Sequence, residues 1–179
     1  MKVTLETECL ILRSFELSDC REVQTLAGEY DVAKTTLSIP HPYPDGVAES
    51  WITSLGEEAV KGRAYVFAVV KKEAHNLLGC MSLYIALHHQ RAELAYWIGK
   101  PFWGNGFATE AARRVVAYGF NELQLNKIWA AAFMTNHSSS NVMKNVGMKQ
   151  EGILKQHVMK WNHPEDLEYY GILRSDYCH

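Results

Sequence analysis

The sequence predicts an α/β fold with a mixed sheet flanked by helices, and three observations carry that expectation. Apolar runs suited to strands recur along the chain, they alternate with segments of helical period, and one strand-to-helix junction is rich in glycine. The 179 residues suit one domain, 1–179, large enough to bury a core without disulfides or a metal. Hydrophobic residues make up 47% and charged residues 21%, an ordinary globular balance. A formal charge of −2 argues against a general nucleic-acid binder, which would present a basic face or stripe.

Residues 9–15 are apolar and β-suited, and Ser18-Asp19 reads as the cap of a helix running to about Gly28. Residues 38–46 hold three of the five prolines and read as an irregular loop, since each proline fixes φ and removes a donor. A helical pattern returns over 47–61, with Trp51, Ile52 and Leu55 on one side. Three strands follow at 64–70, 77–87 and 91–98, the last two joined as a hairpin through His88-His89-Gln90. A helix over 106–121 lines Ala108, Ala111, Ala112, Val115 and Gly119 along one stripe, with Arg113 and Arg114 outside. Then come a buried strand at 128–134, a helix from Asn136 to Val146 stopped at Gly147, and strands near 149–160 and 167–175.

Cys9, Cys20, Cys80 and Cys178 form no C-x-x-C pair and stand beside no histidine at ligand spacing, so free thiols and no metal are expected. The charged opening residues do not resemble a signal peptide and no apolar run would span a membrane, which leads us to expect a cytoplasmic protein. Trp129 and Trp161 read as core or interface aromatics rather than stacking platforms.

The most informative stretch is Tyr96-Trp97-Ile98-Gly99-Lys100-Pro101-Phe102-Trp103-Gly104-Asn105-Gly106-Phe107-Ala108-Thr109-Glu110-Ala111. A strand ending in a glycine turn that opens a helix aims backbone N–H groups and the helix dipole at one point, a setting for an anion. Gly104 and Gly106, without side chains, would let a pyrophosphate approach the backbone. Glycines in such a turn are also explained by turn geometry alone. The spacing is neither G-x-x-x-x-G-K-[ST] nor a G-x-G-x-x-G after the first strand.

Trp103-Gly104-Asn105-Gly106-Phe107-Ala108 resembles the [QR]-x-x-G-x-[GA] signature of the GNAT acetyltransferases, and the longer string resembles its ribosomal-protein (RimJ/RimL-like) branch. Trp103 departs from the Gln or Arg of the general pattern. Residues 7–13 are similar to that branch's T-E-R-L-x-L-R, with Cys9 in place of the first arginine, and 136–148 are similar to its N-x-x-S-x-x-[VL]-x-x-x-x-G-[FM] segment. The resemblance implies a strongly twisted sheet whose fourth and fifth strands, here 91–98 and 128–134, splay apart around the pantetheine arm of acetyl-CoA. It implies cofactor contacts from the backbone of Trp97 and Ile98, from Trp103, Gly104, Asn105, Gly106, Phe107, Ala108 and Thr109, and from Asn136. Asn136 equally reads as a helix N-cap, and the two roles are compatible.

Moving an acetyl group from a thioester to an amine calls for a neutral amine, a stabilised oxyanion and a stabilised thiolate. Glu93, where the family often carries a glutamate, is the candidate base or water anchor; the alternative is an ion pair with Arg91 or Arg13. Ser139 shares an i, i+3, i+7 stripe with Val142 and Val146, and the resemblance places its hydroxyl near the cofactor's sulfur; the alternative is a serine capping the helix backbone. Many family members use a tyrosine there, and none occurs between Phe133 and Met148. His41 and Tyr43 resemble the branch's substrate-side segment, against the alternative of a packed loop. The expected activity is acetylation of a primary amine, either a protein or peptide N-terminal α-amine or a small amine such as a polyamine, amino acid or antibiotic. A non-catalytic acyl-CoA-binding regulator is a third alternative, disfavoured by the presence of both Glu93 and Ser139. No nucleic acid or membrane partner is expected; the resemblance leaves room for a homodimer, and the sequence does not give the oligomeric state.

Overall fold

Leu10 and Leu12 are fully buried while Ile11 and Arg13 are not, so this period of two makes Leu10–Arg13 a strand with one face in the core. In the computed structural model, which describes residues 3–177, it is the second of eight strands in one sheet. In chain order the elements are β1 (Leu5–Glu6), β2 (Leu10–Arg13), α1 (Cys20–Ala27), α2 (Tyr30–Ala33), α3 (Val47–Val60), β3 (Ala64–Lys71), β4 (Leu77–Ala86) and β5 (Arg91–Ile98). They continue with α4 (Phe107–Asn121), β6 (Lys127–Phe133), α5 (His137–Asn145), β7 (Lys149–Lys160) and β8 (His163–Leu173). The sheet order is β1-β2-β3-β4-β5-β6-β8-β7, antiparallel at every step except β5 to β6.

α4 packs on one face through Ala111, Ala112, Val115, Val116 and Phe120, against Leu83, Leu94 and Ile128. Each fully buried Leu or Ile there is worth roughly 1.5–3 kcal/mol of transfer free energy, and Leu94→Ala would cost about 2–5 kcal/mol. On the opposite face α1 and α3 bury Val23, Ala27 and Ile52 against Ala68, Val70 and Cys80. β5 is divided between the layers: Ala92, Leu94, Tyr96 and Ile98 face the α4 side, while Trp97 belongs to the α1–α3 side.

Asp19 is the N-cap of α1 and Gly28 its C-cap, as expected, although the Asp19 side chain does not cap that helix: its carboxylate accepts from the Glu16 N–H and from both terminal nitrogens of Arg13, all at 2.8 Å. Two local expectations are revised. The short helix α2 was not foreseen, since its four residues are too few to show a period. β8 starts at His163 rather than 167, because Trp161 and Asn162 turn the chain in two residues with φ of 48° and 66°. A two-residue turn of this kind holds both residues at positive φ, which Asn162 tolerates and Trp161, in place of the usual Asn or Gly, does not announce. Cys9, Cys20 and Cys80 are free thiols, and Cys178 lies outside the described residues. No helix of the described residues is long and apolar enough to cross a membrane.

Candidate active site

β5 and β6 pair through Arg91–Lys127, Ala92–Ile128 and Glu93–Trp129 and then separate. β5 stays with β4 as far as Ile98–Gly79, and β6 stays with β8 as far as Phe133–Leu167. The second halves of the two strands therefore border a wedge whose vertex lies at Glu93. Successive residues of a strand direct their backbone groups to opposite edges. The Gly99 N–H bonds Leu78 O, and Trp97 O lies against Gly79, so Trp97 turns its backbone to β4. The free edge of the wedge belongs to Tyr96 and Ile98, which moves the expected backbone contact from Trp97 to Tyr96. Ile98 O already accepts from the Trp103 indole at 2.6 Å.

Beyond β5 the chain turns through Gly104 and Gly106, with φ of 77° and 80°, and α4 begins at Phe107. A Cβ at either glycine would meet nothing within 4 Å, so the backbone there faces open space. The side chains of Trp103 and Asn105 brace the turn from within, Asn105 Nδ2 donating to the carbonyls of Phe102 and Trp103 at 3.1 and 3.0 Å. The first-turn N–H groups of α4, at Phe107, Ala108 and Thr109, have no intrahelical acceptor. Glu110 fixes this helix end to the β1–β2 turn by accepting from the Thr7 hydroxyl and the Cys9 N–H. Open glycines in front of a helix N-terminus fit the diphosphate of a nucleotide cofactor.

At the vertex, Glu93 is half-buried on the face away from α4, beside Tyr84 and Trp129 in register. Among the described residues no ion pair or hydrogen bond engages its carboxylate; Arg13 is committed to Asp19. Burial without a counter-charge pushes the Glu93 carboxyl above the usual range.

On the α4 side, Ser139 Oγ stands 2.8 Å from the Tyr96 hydroxyl, which also lies 3.0 Å from the Ser139 carbonyl. Ser139 thus uses its hydroxyl across the wedge and not as a helix cap. Asn136 supplies the cap, its Oδ1 accepting from the Ser139 N–H at 3.2 Å. Sequence reasoning missed Tyr96: no tyrosine stands in 133–148, but β5 brings one to the same place. Burial holds its phenol as a proton donor by pushing its pKa up to about 12.

A cavity of about 350 Å³ opens beyond the end of β6, walled by Tyr30, Phe133, Asn136, Lys160, Trp161 and Glu165. His41 stands at its border: Nδ1 is 3.0 Å from Gly28 O, and the ring meets Tyr30 at 5.3 Å. Tyr43 packs, half-buried, against the α1–α3 layer, where burial raises its phenol. Trp161 is not a core residue; it is 41% exposed and stacks on Tyr30 at 5.5 Å. Trp129 stacks on Tyr169 with 8° between the rings. Lys160, 6% exposed, is a second residue that sequence reasoning missed, since its burial comes from the distant loop around Ile39.

A mixed sheet opened between two parallel strands, with a glycine turn and helix N-terminus on one lip, defines the class of acyl-CoA-dependent transferases. The model of the acetyltransferase (GNAT) domain matches residues 10–149. The chain belongs to the GNAT acetyltransferase family. It is 30% identical over 177 residues to the N-acetyltransferase p20 of Bacillus licheniformis, covering 98% of each chain. Over 103 residues, 57% of this chain and 56% of the other, it is 33% identical to YdaF of Bacillus subtilis, whose name places it among ribosomal N-acetyltransferases. Two solved structures share the fold. One is RimL, the ribosomal L7/L12 α-N-protein acetyltransferase in complex with coenzyme A, with a TM-score of 0.88 at 14% identity over 96% of this chain and 98% of that one. The other is spermidine N-acetyltransferase from Vibrio cholerae with CoA and spermine, with a TM-score of 0.80 at 24% identity over 93% and 96%. The protein is an acetyl-CoA-dependent N-acetyltransferase.

Proposed function

We propose that this enzyme acetylates a protein or peptide N-terminal α-amine, with Glu93 as the base that acts on the amine directly or through one water. The observation that carries the reading is the Glu93 carboxylate, half-buried and without a counter-charge at the vertex of the wedge. Its raised affinity for a proton suits it to take one from an ammonium group, and the neutral amine then attacks. Acetyl-CoA supplies the activated acyl group as a thioester. In this reading the α4 N-terminus and the 104–109 turn hold its phosphates, and the free backbone edge at Tyr96 and Ile98 aligns its arm along β5. The Ser139 hydroxyl, hydrogen-bonded to Tyr96, faces the leaving thiolate. A phenol with a pKa near 12 does not surrender its proton at neutral pH, so the pair stabilises sulfur by hydrogen bonding. Asn136 uses Oδ1 as the helix cap, which leaves its N–H groups to donate to the arm.

A small polyamine acceptor is the second reading, motivated by the spermidine N-acetyltransferase fold neighbour. A polycation calls for several carboxylates, and the cavity holds one, Glu165, beside Lys34 and Lys160. That balance favours the peptide amine. Thiol release from acetyl-CoA, measured against short peptides with free α-amines and against polyamines, tests the choice. Release with peptides, and a mass gain of one acetyl group at the N-terminus, is expected. Release with polyamines alone would overturn the peptide reading.

A further inference from the structure

The cavity beyond β6 has an electrostatic feature that amine transfer does not require. Lys160 closes the β7–β8 turn opposite His163 and lines the cavity, yet it is the one cation among the buried polar residues described. Its ammonium donates to the carbonyls of Ile39 and Leu37 at 3.2 and 3.5 Å and lies 4.6 Å from the centre of the Trp161 ring. An ammonium has three N–H donors, and two are accounted for. Among the described residues no carboxylate forms an ion pair with it. Glu165, the acid in the same wall, forms no ion pair with it, and the nearby Lys34 is committed to Asp31.

Burying a charge against neutral carbonyls and an aromatic face is costly, and burial lowers the affinity of Lys160 for its proton. Tying down a loop does not need that charge, since a neutral amide would donate to the same carbonyls. The turn beside it carries a second cost. Trp161 sits at φ 48°, where a bulky residue is strained, and that conformation lays its indole on Tyr30 as one wall of the cavity. A buried cation with a spare donor in an aromatic-walled cavity is a seat for an anionic group that arrives with a ligand.

We infer that Lys160 recognises a carboxylate on the acceptor, so the preferred substrate is an amine that carries a negative charge a short distance from the reacting nitrogen. This rests on the acetyl-transfer reading and narrows it. Two sources supply that chemistry: an acidic side chain behind the N-terminus of a peptide, or the α-carboxylate of a free amino acid. Glu165 gives the same cavity a place for a positive or hydrogen-bonding group on such an acceptor.

The test measures binding, apart from turnover. With coenzyme A bound, calorimetry compares Ser-Asp-Ala-Ala amide with its Ser-Asn and Ser-Lys counterparts, and free serine with serinamide, on the wild type and on Lys160→Met. At least tenfold tighter binding of a carboxylate-bearing ligand over its neutral partner is expected, and the pair that shows it identifies the source. Lys160→Met should level the pair with coenzyme A affinity unchanged, and Lys160→Arg should keep the preference. Equal binding of charged and neutral partners by the wild type overturns the inference, whether or not Lys160→Met folds. A preference that holds while none of the ligands is acetylated would instead leave this site standing and remove the transfer reading for these acceptors.

Discussion

The hydroxyl of Tyr96 on β5 and the Oγ of Ser139 on α5 lie 2.8 Å apart, across the wedge opened between β5 and β6. Two directions are open to the single phenolic proton. Donated to the Ser139 carbonyl, it obliges the serine to donate back to the phenol, and only lone pairs then face the wedge. Donated to Oγ, it frees the serine proton to point at a thiolate. Tyr96 thereby orients the serine, and its buried phenol remains a donor throughout the neutral range.

Tyr96→Phe removes the orienting oxygen and keeps the ring in the α4 layer. A hydrogen bond to a charged group is worth about 1.5–3 kcal/mol, so kcat should fall at least about tenfold with the acetyl-CoA KM little changed. Ser139→Ala should behave alike, and the double variant should be no worse than Ser139→Ala alone, because the two act as one unit. Steady-state kinetics of the three variants checks this. Additive losses would mean that Tyr96 acts on its own.

Glu93→Gln separates activity from stability. Turnover should drop by about 10²-fold or more, as loss of a general base typically costs. The folded-state pKa of Glu93 is raised, so its ionisation burdens the fold above the unfolded value and costs nothing below it. Glu93→Gln should therefore melt no lower than wild type at pH 7–8, and any gain should vanish below about pH 4, the ordinary carboxylate range. The acidic limb of the rate profile should disappear with the carboxylate. A variant of unaltered kcat from about pH 6 to 9 would make Glu93 structural.

Much of this was legible in the chain. The α4 stripe from Ala111 to Val115, the β4–β5 hairpin and the Gly104–Gly106 turn each follow from local period or turn chemistry, which tertiary packing then reinforces. The wedge was implied by the family resemblance, and the β5–β6 register ending at Glu93–Trp129 gives it coordinates. What escaped depends on long-range juxtaposition. Tyr96 meets Ser139 from 43 residues away, and Lys160 is buried by a loop 121 residues earlier. Alternation along β5 put Tyr96 opposite Glu93's face and so was a usable signal; nothing around Lys160 announced its burial.

Asp31 links the glycine turn to the cavity, because Lys100, which precedes that turn, and Lys34, which lines the cavity, both bond it. These partners hold its carboxyl down at about 2. A depressed carboxylate pKa contributes stability above the unfolded value and loses it as pH falls through the folded one. Asp31→Asn should thus melt below wild type at neutral pH, and the difference should close between about pH 4 and pH 2. Thermal melts across that range check the sign; a constant difference would place the effect elsewhere.

Gly106→Val addresses the turn proposed to seat the diphosphate. The φ of 80° at Gly106 is one that a β-branched residue rarely adopts, and the space before it is open, so the substitution brings backbone strain and a side chain in the path of an approaching diphosphate. Acetyl-CoA affinity should weaken by at least about 1.4 kcal/mol, a tenfold change. Gly106→Ala separates the two causes: it carries much of the strain and little of the obstruction, so it should lose stability comparably and affinity less. Calorimetry on both variants, after melting curves confirm that each is folded, reads the difference. A folded Gly106→Val with wild-type affinity would move the diphosphate away from this turn, and with it the assignment of the α4 N-terminus as its seat.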